Sequence, residues 1–255
     1  MIKNQKGEPL IVSCRKCKEC LQVRANEWGV RCHHEIMENP ENCFITLTYE
    51  NSPVRLHKEH LQQFIKRLRK KIYPEKIKYF SCGEYGDNNF RPHYHIIIFG
   101  YDFNDKEFWK LSKSNKAIFI SKSLSELWPF GYSTVQEANK QTAMYSAKYS
   151  AKDKKELPDL IKGFPEFNTM SKNLGINSIM KKIDVYLLTK EIYIDGFAYS
   201  IPRIVLEKYC DINGLDFKSF MEDYWDNREI KKDYELETKR RLSQKRKMYQ
   251  QKREL

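Results

Sequence analysis

The chain has 255 residues, 40% of them hydrophobic, which supports a folded core and excludes a disordered chain. It carries 46 Lys and Arg against 34 Asp and Glu, a formal charge of +12 that indicates a polyanionic partner. No apolar run approaches the roughly 20 residues of a membrane-spanning helix, and the N-terminus lacks the apolar core of a signal peptide. We therefore expect a cytoplasmic protein with reduced cysteines that binds nucleic acid and no membrane.

In chain order, helix and strand patterns alternate over the first 153 residues. Helical spacing of apolar residues and runs of β-branched and aromatic residues predict, respectively, helices over 19–38, 57–72, 122–128 and 139–153, and strands over 43–49, 76–84, 93–100 and 131–136. This order predicts an α+β fold with a central antiparallel sheet of at most five strands and flanking helices.

The texture of the sequence changes after residue 155, where only a short strand within 186–193 is predicted. We expect one domain over 1–155, a mainly helical extension over 156–227, and a basic helical or flexible tail over 228–255. The tail holds 11 Lys and Arg against 5 Asp and Glu. That surplus fits an arm that binds DNA or capsid, or simply a solubilising segment.

His93 and His95 lie at the start of an apolar strand. Side chains alternate along a strand, so the two imidazoles face the same way. Glu84, at the end of the preceding strand of the predicted hairpin, supplies a third ligand for Mg²⁺ or Mn²⁺ and leaves positions open for substrate oxygens. The alternative is a histidine that caps a strand or satisfies a core hydrogen bond.

Two Tyr-x-x-Lys units follow each other in the last predicted helix. Tyr145 and Tyr149 are four residues apart and therefore about 5–6 Å apart between Cβ atoms, and Lys148 and Lys152 form a parallel pair. A tyrosine hydroxyl attacks a phosphodiester readily only when a metal polarises the phosphate and a cation offsets the developing charge. The alternative is an amphipathic helix whose aromatic residues pack in the core.

Segments 44–49, 82–86, 91–95 and 145–149 together resemble the ordered motifs of the HUH endonucleases, whose sheet is of the RRM or ferredoxin-like kind. The resemblance is closest to the replication initiators of microviruses, particularly the gokushovirus branch, and covers residues 14–153. It extends to the wording at 67–70, at 127–129 and at the first cysteines.

This resemblance implies rolling-circle replication in the cytoplasm of a bacterial host. One tyrosine would attack single-stranded DNA at the replication origin, forming a 5′-phosphotyrosine and a free 3′-hydroxyl, and the second would act after one circuit. Host helicase and polymerase are the implied partners. A plasmid-type initiator, a relaxase or a transposase of the same chemistry, and a non-catalytic zinc-stabilised DNA-binding protein, remain alternatives, although transposases usually carry one tyrosine.

Cys14, Cys17 and Cys20 have the x2 spacing of zinc ligands, with Cys32, His33 or His34 as a possible fourth ligand. Free cysteines in a turn are the other interpretation.

Basic side chains near the predicted site complete the candidate DNA-binding set. Lys66, Arg67 and Arg69 in the helix over 57–72 either follow the phosphate backbone or form a solvated face, and Arg91, beside the histidine strand, is the stronger candidate for a phosphate contact.

Overall fold

The structure, a computed structural model, describes residue 14 and residues 17–86, 89–112, 114–149 and 158–226. The chain divides into two compact units, Met1–Val205 and Leu206–Leu255. The predicted tail over 228–255 and the end of the predicted helix beyond residue 149 lie outside the described residues.

Nine strands occur in the described part of the chain. They are β1 (Asn42–Thr48), β2 (Lys78–Tyr85), β3 (Pro92–Phe99), β4 (Lys106–Leu111), β5 (Ala117–Ser121), β6 (Ser133–Glu137), β7 (Phe167–Met170), β8 (Glu191–Ile194) and β9 (Phe197–Ser200). Seven of them form one sheet in the order β4-β5-β6-β1-β3-β2-β7, with every pairing antiparallel. The last two form a separate hairpin.

Eight helices occur in the same described ranges. They are α1 (Lys18–Glu38), α2 (Lys58–Lys71), α3 (Lys122–Leu127), α4 (Lys140–Tyr149), α5 (Ile176–Met180), α6 (Ile183–Thr189), α7 (Arg203–Asn213) and α8 (Phe217–Asp226). Among these helices of the described residues, none combines the length and apolar character needed to cross a bilayer.

The period-two alternation of β1 divides the core into two layers. Ile45 and Leu47 face one side of the sheet, where the buried residues of α2, such as Phe64 and Leu68, cover them. Phe44 faces the other side and packs in a second cluster with Ala143 of α4 and with Cys32 of α1. The sheet is therefore the middle layer between α2 and α3 on one face and α1 and α4 on the other.

The predicted α+β class with an antiparallel sheet and flanking helices is confirmed, but the sheet has seven strands instead of five at most. The missing strands carry weak signals. All six residues of β4 are exposed, so the strand has no apolar alternation, and β7 has only four residues. The region predicted to hold a strand over 186–193 begins as helix α6, and the strand β8 starts only at Glu191.

The sheet also draws on sequence beyond residue 155. Strand β7, which lies within 156–227, pairs with β2 through Phe167 opposite Gly83 and Met170 opposite Phe80. The domain boundaries themselves stay a prediction.

Candidate metal and nucleophile site

Glu84, His93 and His95 meet on the α1–α4 face of the sheet. Glu84 of β2 lies directly opposite His93 of β3 in the strand register, and His95 lies two residues further along β3 on the same face. One ligand atom from each of the three side chains lies within 4.8 Å of the others. The predicted cluster therefore forms, and the antiparallel hairpin is what brings it together.

The carboxylate of Glu84 lies between the two imidazoles. Its Oε1 is 2.6 Å from Nε2 of His93 and 3.1 Å from Nε2 of His95. Glu84 and His95 are buried, whereas the His93 side chain keeps 19% of its surface exposed. One carboxylate and two imidazoles that converge on a site open at one side are suited to a divalent cation that retains positions for substrate oxygens.

Two opposing effects act on the Glu84 carboxyl. Burial by itself would raise its pKa, but the hydrogen bonds and positive charge of His93 and His95 outweigh burial and lower the pKa to about 2. The carboxylate is thus charged at neutral pH, the state in which it can bind a cation.

Neighbouring groups fix the orientation of both imidazoles. Nδ1 of His93 donates to the backbone carbonyl of Arg91 at 3.1 Å, which directs Nε2 toward Glu84. Nδ1 of His95 lies 3.0 Å from Oγ1 of Thr46, the residue opposite it on β1. Partners of this kind hold a metal-binding histidine in the tautomer and rotamer that coordination requires.

The aromatic ring of Tyr145 adjoins the histidine cluster. Its centroid is 5.7 Å from that of His95, with the planes at 76°. Phe44 stacks on the other side of this contact, 5.4 Å from His95 and nearly parallel to it, and meets Tyr145 edge-on at 6.4 Å. Tyr145 is 45% exposed, so its side chain remains accessible from solvent.

The remaining predicted residues of the tyrosine motif are only partly described. Lys148 and Tyr149 belong to helix α4, but their side chains lie outside the described part of the structure, and Lys152 lies outside it altogether. Their predicted roles stay predictions.

The basic residues predicted to contact DNA do not gather around this cluster. Lys66, Arg67 and Arg69 belong to α2, which covers the face of the sheet opposite to His95. Arg67 is turned inward, where its Nε donates to the carbonyl of Leu127 at 2.9 Å. Lys66 and Arg69 are exposed.

Arg91 lies nearer to the cluster, in the segment that precedes β3. Its guanidinium donates to the backbone carbonyl of Tyr49 and, at 3.4 Å, to that of Glu50, while the residue as a whole stays exposed. It therefore ties the end of β1 to the start of β3.

Cys14, Cys17 and Cys20 form a second cluster, at the start of α1. Their sulfur atoms lie within 4.8 Å of one another, and the backbone N–H of Cys17 donates to Sγ of Cys14 at 3.2 Å. Cys32, offered by the sequence as a fourth ligand, lies fully buried in the second core cluster, where burial raises the pKa of its thiol well above the ordinary value. The structure thus assembles three of the four predicted sulfurs.

The sequence analysis missed the supporting residues Thr46 and Phe44. Both occupy even-numbered positions of β1, and the strand register places those positions on the same face as His93 and His95. The alternation of β1 could have indicated their side of the sheet. The pairing of β1 with β3 was needed to identify Thr46 as the partner of His95.

Comparison with known proteins agrees with this arrangement. The profile of the replication-associated protein ORF2 family matches residues 42–154, which include Glu84, His93, His95 and Tyr145. No solved structure matches the chain significantly.

Three relatives are similar over much of the chain. The replication-associated protein ORF4 of Chlamydia phage 1 is 35% identical over 204 residues, which cover 74% of this chain and 51% of the relative. The replication-associated protein ORF2 of Spiroplasma virus 4 is 34% identical over 216 residues, 78% of this chain and 66% of the relative. The replication-associated protein VP4 of Bdellovibrio phage phiMH2K is 32% identical over 149 residues, 54% of this chain and 47% of the relative.

These matches define the class as viral replication-associated proteins. The chain belongs to the microvirus family of such proteins. It spans about half the length of the first of these relatives.

Proposed function

We propose that this protein initiates rolling-circle replication by nicking and rejoining single-stranded DNA at the viral origin. The observation that carries the proposal is the contact between Tyr145 and His95, because it sets a nucleophile beside a cluster suited to a divalent cation. The names of the relatives support a role in replication, and the charge of +12 supports a polyanionic substrate.

The proposed reaction is a transesterification. The Tyr145 oxygen attacks the scissile phosphorus and loses its proton to solvent, and a new O–P bond forms. The bond from phosphorus to the 3′-oxygen breaks, and that oxygen takes up a proton. The products are a 5′-phosphotyrosine and a free 3′-hydroxyl, so the energy of the broken bond is retained for rejoining.

In this reaction Glu84, His93 and His95 would hold Mg²⁺ or Mn²⁺. When bound there, the cation would supply Lewis-acid polarisation of the phosphate. Thr46 and the Arg91 carbonyl would keep the imidazoles oriented. Arg91 itself would contact a nearby phosphate.

We propose that Tyr149 acts as the second nucleophile. It follows Tyr145 by one turn of α4, so the same cluster would serve both hydroxyls in alternate steps. Lys148 and Lys152 would offset the charge that develops on the phosphate. Lys66 and Arg69, on the opposite face of the sheet, would contact flanking DNA, and host helicase and polymerase would extend the released 3′-end in the bacterial cytoplasm.

The proposal is tested by incubating the protein with a labelled single-stranded origin oligonucleotide and Mn²⁺, followed by a denaturing gel. Wild type should form a denaturant-resistant adduct that chelator abolishes. His95→Ala should lose the adduct, whereas His57→Ala should keep it, because His57 is a half-buried histidine at the start of α2 on the other face of the sheet. An adduct that forms equally in chelator would contradict the metal assignment.

For the cysteine cluster we propose a structural Zn²⁺ held by Cys14, Cys17 and Cys20. The N–H group of Cys17 directed at Sγ of Cys14 favours a thiolate there, since such a donor stabilises negative charge on sulfur. The purified protein should contain zinc, and Cys17→Ser should lose it. Cys210→Ser, in the second compact unit, is the control and should retain it.

A further inference from the structure

A groove of about 450 Å³ lies beside the candidate nucleophile, between α4 and the turn of the β8–β9 hairpin. Its lining residues are Lys140, Gln141, Met144, Tyr145, Asp195 and Phe197. The volume falls within the range of pockets that take small organic groups. Tyr145 belongs to both the groove and the histidine cluster, so the two are continuous.

The hairpin wall of the groove is fixed to α4. Asp195 and Gly196 both have positive φ, at 48° and 76°, and form a tight turn between the two strands. Nζ of Lys140 donates to the carbonyl of Ile194 at 3.0 Å and pairs with Asp195 at 2.9 Å. Ile192 and Ile194 are buried and anchor the hairpin from below. The groove is thus a preformed feature of the fold.

Phe197 stands on this wall with 65% of its surface exposed. Nζ of Lys140 lies 5.1 Å from the centre of its ring, which keeps a cation at the edge of an apolar plane. Such a plane beside a cation matches an unpaired nucleobase, whose faces are apolar and whose backbone carries a negative charge.

We infer that the groove binds one base of the single-stranded DNA next to the scissile phosphate, with Phe197 as the stacking surface. The inference rests on the proposed function for the identity of its occupant. In a duplex the faces of a base are covered by its neighbours, so a stacking groove at this place would favour unpaired DNA.

The test is a binding measurement that needs no cleavage. The affinity of the full chain for fluorescein-labelled single-stranded oligo(dT) is measured by fluorescence anisotropy in chelator. We expect Phe197→Ala to weaken binding about tenfold, the effect of losing one stacked base, and Phe197→Tyr to restore it. The matched control is Tyr193→Ala, which removes an equally exposed ring of the same hairpin that does not line the groove.

Unchanged affinity of Phe197→Ala, or an equal loss in Tyr193→Ala, would overturn the inference. Phe197→Trp gives a second measurement in a protein that keeps a ring at this position. Its added tryptophan emission should be quenched by oligo(dT), and no quenching would overturn the inference as well. A wild type that binds DNA through Phe197 but forms no adduct with Mn²⁺ would instead refute the proposed function and leave the groove as a binding site.

Discussion

The ring of Tyr145 lies edge-on to the imidazole of His95, with 5.7 Å between the ring centroids. The two residues come from a helix and a strand that are distant in sequence, and Phe44 touches both rings. Helix α4 is held in place by α1, where Met144 packs against Gly29 so closely that a Cβ at that glycine would lie 2.3 Å from its sulfur. The packing of α4 on α1 therefore positions the candidate nucleophile over the sheet.

Removal of the Tyr145 hydroxyl should reduce, but not abolish, formation of the DNA adduct. Tyr145→Phe keeps the ring that contacts His95 and leaves Tyr149 as a nucleophile, whereas Tyr145→Phe combined with Tyr149→Phe should form no adduct. Tyr73→Phe, a change at an exposed tyrosine just beyond α2, is the control and should match wild type. The measurement is the adduct yield on a denaturing gel, and an adduct in the double variant would refute the assignment of nucleophiles.

Thr46→Val should weaken metal binding without unfolding the protein. The change removes the Oγ1 atom that lies 3.0 Å from Nδ1 of His95 but keeps the shape of the side chain. Loss of such a partner typically costs about 10–100-fold in metal affinity. Titration calorimetry with Mn²⁺ measures the effect.

The control for this change is Thr134→Val. Thr134 of β6 lies opposite Thr46 on the same face of the sheet, one strand further from His95. If both variants bind Mn²⁺ like wild type, Thr46 does not position His95.

The stability of the fold should depend on pH through His34. Burial, together with the positive charge of His33 and Lys182, lowers its pKa from 6.5 to about 4. Between these values the unfolded chain takes up a proton that the folded chain does not, so the free energy of unfolding falls as pH drops through this window and the contribution is fully present above pH 6.5. The loss is on the order of 2 kcal/mol.

The measurement compares wild type with His34→Gln by urea denaturation at about pH 7 and about pH 4, on either side of this window. The amide can still reach Ser178, which lies 3.3 Å from Nδ1 of His34, but does not titrate. Wild type should lose more stability than the variant over this interval. Equal losses would mean that His34 does not carry the pH dependence.

Two glycines with similar backbone angles should respond differently to alanine. Gly175 (φ +69°) precedes α5, and a Cβ there would lie 2.2 Å from the carbonyl oxygen of Arg31; at Gly196 (φ +76°) no atom lies within 4 Å of that position. We expect Gly175→Ala to lower the free energy of unfolding by about 3 kcal/mol and Gly196→Ala by about 1 kcal/mol. Chemical denaturation measures both, and equal losses would rule out the clash at Arg31 as the cause.

The sequence predicted the metal cluster because all its information is local. His93 and His95 share a face through the alternation of a strand, and a hairpin brings Glu84 opposite His93. The helices and strands up to α4 that periodicity predicted also formed, and their predicted limits differ from the observed ones by only a few residues.

The rest depended on long-range pairing that periodicity does not contain. The hydrogen bond between Thr46 and His95 requires the register of β1 on β3, and the groove at Phe197 requires a hairpin late in the chain to pack beside α4. Arg67 was predicted among the DNA contacts from its charge, yet its guanidinium bonds to Leu127 at the end of α3. Charge alone does not distinguish a solvated arginine from one that joins two elements.

The most direct test of the central claim is to locate the DNA on the protein. The adduct formed with Mn²⁺ is digested with protease and nuclease, and the modified peptide is sequenced by mass spectrometry. The account predicts a nucleotide linked through phosphate to Tyr145 or Tyr149 in the peptide from α4. A nucleotide linked to any other residue, or no linked nucleotide, would contradict it.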